Sequence, residues 1–204
     1  MSELVWWPHK GYGRELPDEK TVVRYDDDYF EKCRVREGTE VGKSLIEHRG
    51  AVLCRHSRLE HRTVDVGVGA LGFVNYMQKC GMPIYGYDVN SSSEVILRSR
   101  DLFDDPTKLA VDNVTCWDSL EHMLSPEAML RNVRKKVLMS LPIFDSAEHV
   151  IRSKHYKPGE HIWYFTEAGL IRWMRDQGFG LLERNRDEER YGREGIGTYV
   201  FARL

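Results

Sequence analysis

The chain is sparing with cysteine, has no long apolar run and carries no excess of either charge, and each lack removes a class of protein. Four cysteines (Cys33, Cys54, Cys80, Cys116) stand far apart with no Cys-x-x-Cys pair, a pattern of reduced thiols rather than a disulfide framework or zinc site. No apolar stretch approaches the roughly 18 residues of a membrane helix. The opening Met-Ser-Glu-Leu-Val-Trp-Trp-Pro-His-Lys has no basic region followed by an apolar core, so neither secretion nor membrane spanning is expected and a cytoplasmic location is. The 30 Lys and Arg against 32 Asp and Glu give no general attraction to a polyanion, which leaves a nucleic-acid partner unsupported and still open. There is no internal repeat or low-complexity tract, and the charge-mixed residues 184–195 read as a solvated hairpin connection. At 204 residues one domain can bury about 70% of its unfolded surface without disulfide or metal.

What is present starts with Val64-Asp-Val-Gly-Val-Gly-Ala-Leu-Gly72, a buried strand breaking into a glycine turn just before a helix. Gly67, Gly69 and Gly72 let the backbone turn sharply and leave no Cβ between the chain and a flat adenosyl group. Further on, Pro83-Ile-Tyr-Gly-Tyr-Asp-Val89 places Asp88 at the end of a second apolar strand. There it can accept hydrogen bonds from both ribose hydroxyls, each charge-assisted bond worth roughly 1.5–3 kcal/mol. The two features predict an adenosine-containing cofactor without saying which.

Along the rest of the chain, residues 1–24 read as an irregular arm whose Trp6 and Trp7 pack onto the domain. Helices are expected over Asp26–Arg36 and Thr39–His56, the second N-capped by Thr39 with Val41, Leu45, Ile46, Val52 and Leu53 near one face. The first strand is Thr63–Gly67, and the helix after the glycine turn ends at Gly81-Met-Pro83. Ser91–Asp101 reads as a short helix, Leu102–Asp112 as a stunted third strand at most, and Asn113–Ser119 as a mostly apolar strand. Ser125-Pro126 opens a helix with Met129, Leu130 and Val133 on one face, and Arg131, Arg134, Lys135 and Lys136 read as its solvated end. Val137–Phe144 is a further buried strand, Thr166 opens a helix closed at Gln177-Gly178, and strands 179–183 and 197–204 finish the chain. Alternating strands and helices predict an α/β sheet with a parallel core. The last two strands have no helix between them and should pair antiparallel.

These elements resemble the class I S-adenosylmethionine-dependent methyltransferases, in particular the small methyltransferases of the type 11 and type 23 domains, over about residues 60–204. The likeness rests on Val64-Asp-Val-Gly-Val-Gly, Gly86-Tyr-Asp88-Val, Trp117-Asp-Ser-Leu-Glu-His122, Ser140-Leu-Pro-Ile-Phe144 and His161-Ile-Trp-Tyr-Phe-Thr-Glu-Ala-Gly-Leu170. It implies a Rossmann-like sheet, mostly parallel with an antiparallel C-terminal strand and helices on both faces. Residues 61–204 would be the cofactor-binding core, and residues 1–60 an arm and helices covering its cleft, in one compact domain. S-adenosyl-L-methionine would be the cofactor and S-adenosyl-L-homocysteine the product. In one respect the chain departs from the family: the third glycine falls one place late, and Gly-x-Gly-x-x-Gly is also the dinucleotide fingerprint. An NAD-type oxidoreductase therefore stands as a rival, and a noncatalytic module that binds S-adenosylmethionine as another.

By the resemblance, Asp65 and the Gly67/Gly69 backbone border the methionine end and the sugar, Asp88 holds the ribose, and Val89 lies against the adenine. Asp65 also fits a turn residue accepting its own loop's N–H groups. Asp118, Ser119, Leu120 and His122 fall where the family lines the cleft beyond the fourth strand; Trp117 fits the core, and His122 fits either substrate contact or a structural pair. His155 and His161 follow the fifth strand on the acceptor side, as a general base or as loop anchors. Tyr25, Tyr29 and Phe30 fit a lid or simple packing. His48, His56 and His61 lack a supporting ligand cluster, so no metal is expected. The chain has neither an Asn/Asp-Pro-Pro-aromatic turn after the fourth strand nor a Pro-Cys pair, the marks of DNA base methyltransferases. A small-molecule acceptor methylated at oxygen or nitrogen is expected, with RNA, protein and the oligomeric state left open.

Overall fold

The computed structural model describes residues 4–15 and 25–204. In chain order these form β1 (Leu4–Trp7), β2 (Tyr12–Glu15), α1 (Asp27–Gly38), α2 (Glu40–His56), β3 (Thr63–Val66), α3 (Gly72–Lys79), β4 (Ile84–Tyr87) and α4 (Ser91–Ser99). There follow β5 (Val111–Trp117), α5 (Pro126–Leu130), β6 (Val133–Phe144), α6 (Ala147–Arg152), β7 (Trp163–Thr166), α7 (Glu167–Asp176), β8 (Phe179–Asn185) and β9 (Ile196–Arg203). The fold is mixed α/β, with a parallel sheet core and antiparallel closing strands, as expected. It divides into two compact units. No helix among the described residues is long and apolar enough to cross a membrane.

The first unit comprises residues 25–117 and Ala128–Leu138. Here β4, β3, β5 and the first half of β6 lie side by side in that order, and β3 pairs parallel with β4 (Val64↔Tyr85) and with β5 (Val64↔Val114). All four residues of β3 are buried, as a central parallel strand requires. The stunted third strand is a single parallel bridge, Gly86↔Phe103. Thr39 joins α1 to α2: its hydroxyl accepts from the Gly42 amide at 3.0 Å and donates to the Arg36 carbonyl at 2.8 Å. Leu45, Val52 and Leu53 of α2 are buried as expected, whereas Val41 faces solvent. The helix expected after Ser125 is only five residues long. Val133, Arg134, Lys135 and Lys136 belong instead to β6, where Lys136 Nζ donates to the His56 carbonyl at 2.6 Å.

The second unit comprises the described residues before 16, Asp118–Glu127 and Met139–Leu204. The expected irregular arm is in fact a hairpin, β1 pairing antiparallel with β2 and β2 with β7; the rest of that arm, residues 1–3 and 16–24, lies outside the described residues. The hairpin turns at Gly11, whose φ is 74°. The Gly11 carbonyl then accepts from both the amide and the hydroxyl of Thr166, at 2.8 and 2.9 Å. Trp6 packs on Phe144, Val150 and Tyr164, and Trp7 meets Tyr12 edge-on. The second half of β6 pairs parallel with β7 at Ile143↔Phe165. On its other side stands β9, antiparallel to β8.

Candidate functional site

In the first unit the chain leaves β3 through three left-handed residues: Gly67 (φ 83°), Gly69 (φ 55°) and, unexpectedly, Leu71 (φ 65°). The third glycine, Gly72, serves space rather than conformation. A Cβ there would stand 2.4 Å from Glu37 Oε2, and one at Gly69 would stand 2.9 Å from Glu37 Oε1. Glu37, near the end of α1, accepts from the Ala70 amide at 3.1 Å and from the Gly72 amide at 2.8 Å. Burial raises its carboxyl above the ordinary value, against the pull of those two amides and of Arg36 and Arg49. A Glu-Gly-Thr sequence between helices reads as a solvated corner, so pattern alone does not mark Glu37 as part of the turn.

Asp88 sits just past β4 and clamps the same turn, accepting from the Gly69 amide at 3.1 Å and the Asn90 amide at 2.9 Å. Burial raises its pKa, offset by these and neighbouring amides. Asn90 caps α4 through the Ser92 and Ser93 amides and donates to the carbonyls of Tyr25 and Asp26 at 3.0 and 2.7 Å. Ser93 Oγ holds the Gly69 carbonyl at 2.7 Å. Gly69 is thus fixed at both its N–H and its C=O. Val89, beside the clamp, is 68% exposed, an apolar face open to a flat ring. Tyr25 and Tyr29 meet edge to face at 4.8 Å.

Asp65 is 2% exposed and accepts the Thr115 hydroxyl at 2.5 Å. Burial pushes its pKa up to about 7, with Thr115 and Arg49 pulling down and Glu37 and Asp88 pushing up. The reading of Asp65 as a residue that ties its own turn gives way: the amides at 69, 70 and 72 go to Asp88 and Glu37. Trp117 is core, with the Phe73 ring edge-on at 5.6 Å and the Arg49 guanidinium over its face at 5.4 Å.

In the second unit Asp118 follows β5 in the left-handed region (φ 56°) and pairs with Arg193, whose Nε lies 2.9 Å from the fully buried Glu188. Residues 184–195 are therefore not merely a solvated connection. Ser119 and Leu120 are buried, and Leu120–His122 form one 3-10 turn. His122 Nδ1 lies 2.9 Å from the Glu160 carbonyl, which assigns the ring proton to Nδ1. The His122 and His161 rings are perpendicular, 4.6 Å apart. His161 is 4% exposed, and burial drives its pKa down to about 2. Burial lowers His122 and His155 as well. His155 Nε2 lies 2.8 Å from the Glu194 carbonyl. A cavity of about 580 Å³ in this unit is bordered by Trp6, Lys10, Phe144, Thr166 and Arg172; none of the residues expected at the site lines it.

The methyltransferase domain family matches residues 37–184. No curated protein sequence matches the chain significantly. Among solved structures, the magnesium protoporphyrin IX methyltransferase of Synechocystis PCC 6803 with bound S-adenosylmethionine is similar at a TM-score of 0.64 and 18% identity, over 93% of this chain and 99% of that one. The Burkholderia thailandensis 1,6-didemethyltoxoflavin-N1-methyltransferase, bound to 1,6-didemethyltoxoflavin and S-adenosylhomocysteine, is similar at 0.60 and 14% identity, over 87% and 84% of the two chains. The [4+2]-cyclase SpnF is similar at 0.57 and 15% identity, over 79% and 82%. That cyclase, sharing the fold, shows why a site must be argued from its residues.

Proposed function

The chain belongs to the methyltransferase domain family, and from that premise we propose that it binds S-adenosyl-L-methionine at the glycine turn. It transfers the methyl group to an oxygen or nitrogen of a small-molecule acceptor and releases S-adenosyl-L-homocysteine. The observation that carries this reading is the Glu37 carboxylate on the Ala70 and Gly72 amides. A dinucleotide enzyme uses such helix-opening amides to hold a pyrophosphate. Here an anion of the protein already takes them, and a second anion would meet charge repulsion as well as lost hydrogen bonds. A phosphate-free, sulfonium-bearing nucleoside meets neither obstacle. Its likeness to solved methyltransferases that hold S-adenosylmethionine, or S-adenosylhomocysteine with a small-molecule acceptor, supports the same choice.

In this assignment Asp88 receives the ribose hydroxyls, Val89 covers the adenine, and Asp65 with the Gly67 and Gly69 backbone borders the sugar and methionine end. Gly72 keeps Glu37 seated. Asp118, Ser119, Leu120 and His122 are assigned to the cofactor from the family resemblance. The bound sulfonium supplies a methyl group that an acceptor lone pair takes by in-line displacement. The protein's task is then chiefly alignment, which can lower a barrier by about 7–11 kcal/mol. Where the acceptor must lose a proton, His155 is the better of the two expected bases: the Glu194 carbonyl places its proton on Nε2 and leaves Nδ1 to accept. A ring held near a pKa of 2, as His161 is, takes up protons poorly at neutral pH.

Incubation with methyl-labelled S-adenosylmethionine and pooled metabolites, RNA and protein tests the reading. Label moving into a small molecule with stoichiometric S-adenosylhomocysteine supports it. Label in RNA or protein moves the acceptor class, and binding without turnover marks a noncatalytic module. His155→Ala should slow turnover at least tenfold with cofactor affinity kept; full turnover removes His155 as the base.

A further inference from the structure

Among the described residues, Glu121, His122 and His161 bring their ligand-type atoms within 4.8 Å of one another. All three belong to the second unit. Glu121 and His122 are neighbours in the 3-10 turn after β5, and His161 precedes β7. The Ile162 amide donates to the Glu121 carbonyl at 2.7 Å, which pins the two segments together.

Two atoms of this cluster are buried with no hydrogen-bond partner, Glu121 Oε2 and His161 Nδ1, in side chains only 1% and 4% exposed. Buried polar atoms left so are rare in native proteins, because each forfeits its hydration without replacement. His122 already has the posture of a metal ligand: Nδ1 is tied to the Glu160 carbonyl at 2.9 Å, and Nε2 lies 4.0 Å from Glu121 Oε1. A backbone carbonyl holding the far nitrogen is how metal-bound imidazoles are oriented.

We propose that Glu121, His122 and His161 form a binding site for one divalent transition-metal ion, held by the Glu121 carboxylate, His122 Nε2 and His161 Nδ1. Two imidazoles and a carboxylate suit zinc, cobalt or ferrous ions rather than calcium or magnesium, which take oxygen donors. Bonds of about 2.0–2.1 Å put tetrahedral donors about 3.3 Å apart. The separation between Glu121 and His122 therefore has to close by less than an ångström. Three protein donors leave a further position for water or an oxygen of another molecule.

The full chain, stripped with chelator, is titrated with Co²⁺ by visible absorption and with Zn²⁺ by calorimetry, with neither cofactor nor acceptor present. One ion per chain, with Zn²⁺ displacing the Co²⁺ bands, is the expected result. Glu121→Gln should weaken Co²⁺ binding at least tenfold while keeping the circular dichroism and melting point of the metal-free protein. His149→Ala, a half-buried histidine outside the cluster, should leave Co²⁺ binding unchanged. Native mass spectrometry of the unsubstituted chain decides without any variant: one retained Zn²⁺ supports the site. No saturable uptake, or uptake unchanged in both Glu121→Gln and His161→Ala, overturns it and leaves the methyl-transfer reading standing, since no step of that reading uses the ion.

Discussion

The Glu37 carboxylate and the Gly72 backbone meet at 2.8 Å, so a helix that precedes the glycine turn in sequence holds it. Glu37→Ala leaves the part-buried amides of Ala70 and Gly72 without their acceptor, and a donor left unsatisfied away from water costs about 1–3 kcal/mol. We expect a loss of about 2 kcal/mol in urea unfolding. Affinity for S-adenosylmethionine should fall about tenfold by calorimetry, because the turn it grips is no longer held.

Gly72→Ala drives a methyl group into the same carboxylate, 2.4 Å from Oε2. Overpacking of this kind costs about 1–3 kcal/mol. In a Glu37→Ala background that carboxylate is gone and only the tip of the Ile46 side chain, at 2.9 Å, has to give, so the alanine should cost less. A double-mutant cycle by chemical denaturation should therefore give a coupling above 1 kcal/mol, and additive effects would show that the contact is not the reason for the glycine.

Asp65 gives the protein a pH dependence opposite in sign to that of a salt-bridged carboxylate. Its pKa rises from 3.8 to about 7 on folding, so the folded state holds a proton that the unfolded state has released. This contribution to stability is whole below about pH 4, declines as pH rises to about 7, and is flat above. The decline is on the order of 4 kcal/mol. Asp65→Asn should remove that part of the slope in unfolding curves taken from pH 4 to 8; an unchanged slope would assign it to other groups.

Arg193 is the cation shared by Asp118 and the fully buried Glu188. Removing one partner of a buried ion pair costs about 3–5 kcal/mol. Arg193→Ala should lose about 3 kcal/mol by thermal or urea unfolding. Arg193→Lys should recover only part, since an ammonium cannot present the guanidinium's fork to two carboxylates.

The parts of the protein legible in its sequence are those whose cause is local. The β3 strand, the turn at Gly67 and Gly69, Asp88 at the strand end and the Thr39 and Thr166 caps each depend on residues a few positions apart. The antiparallel ending followed from the short 184–195 connection. What stayed hidden depends on distant partners. Residues Leu4–Trp7 and Tyr12–Glu15 become strands because β7, some 150 residues later, offers an edge. Arg131–Lys136 has a helical composition, yet Val133–Lys136 is drawn into β6 by its extended neighbours. Glu37, Glu188 and Arg193 look like solvated charges until packing gives each a partner. Leu71 carries the turn's third positive φ, a position where glycine is the default and Gly72 the apparent candidate.

The central claim is that Asp88 and the Gly67–Gly72 turn hold S-adenosylmethionine. Calorimetric titration of the chain and of Asp88→Ala with S-adenosylmethionine and with NAD tests it most directly. The account predicts one S-adenosylmethionine per chain, no measurable NAD binding, and at least a tenfold weaker S-adenosylmethionine complex in Asp88→Ala. Binding of NAD alone, or equal S-adenosylmethionine affinity in the two proteins, would contradict it.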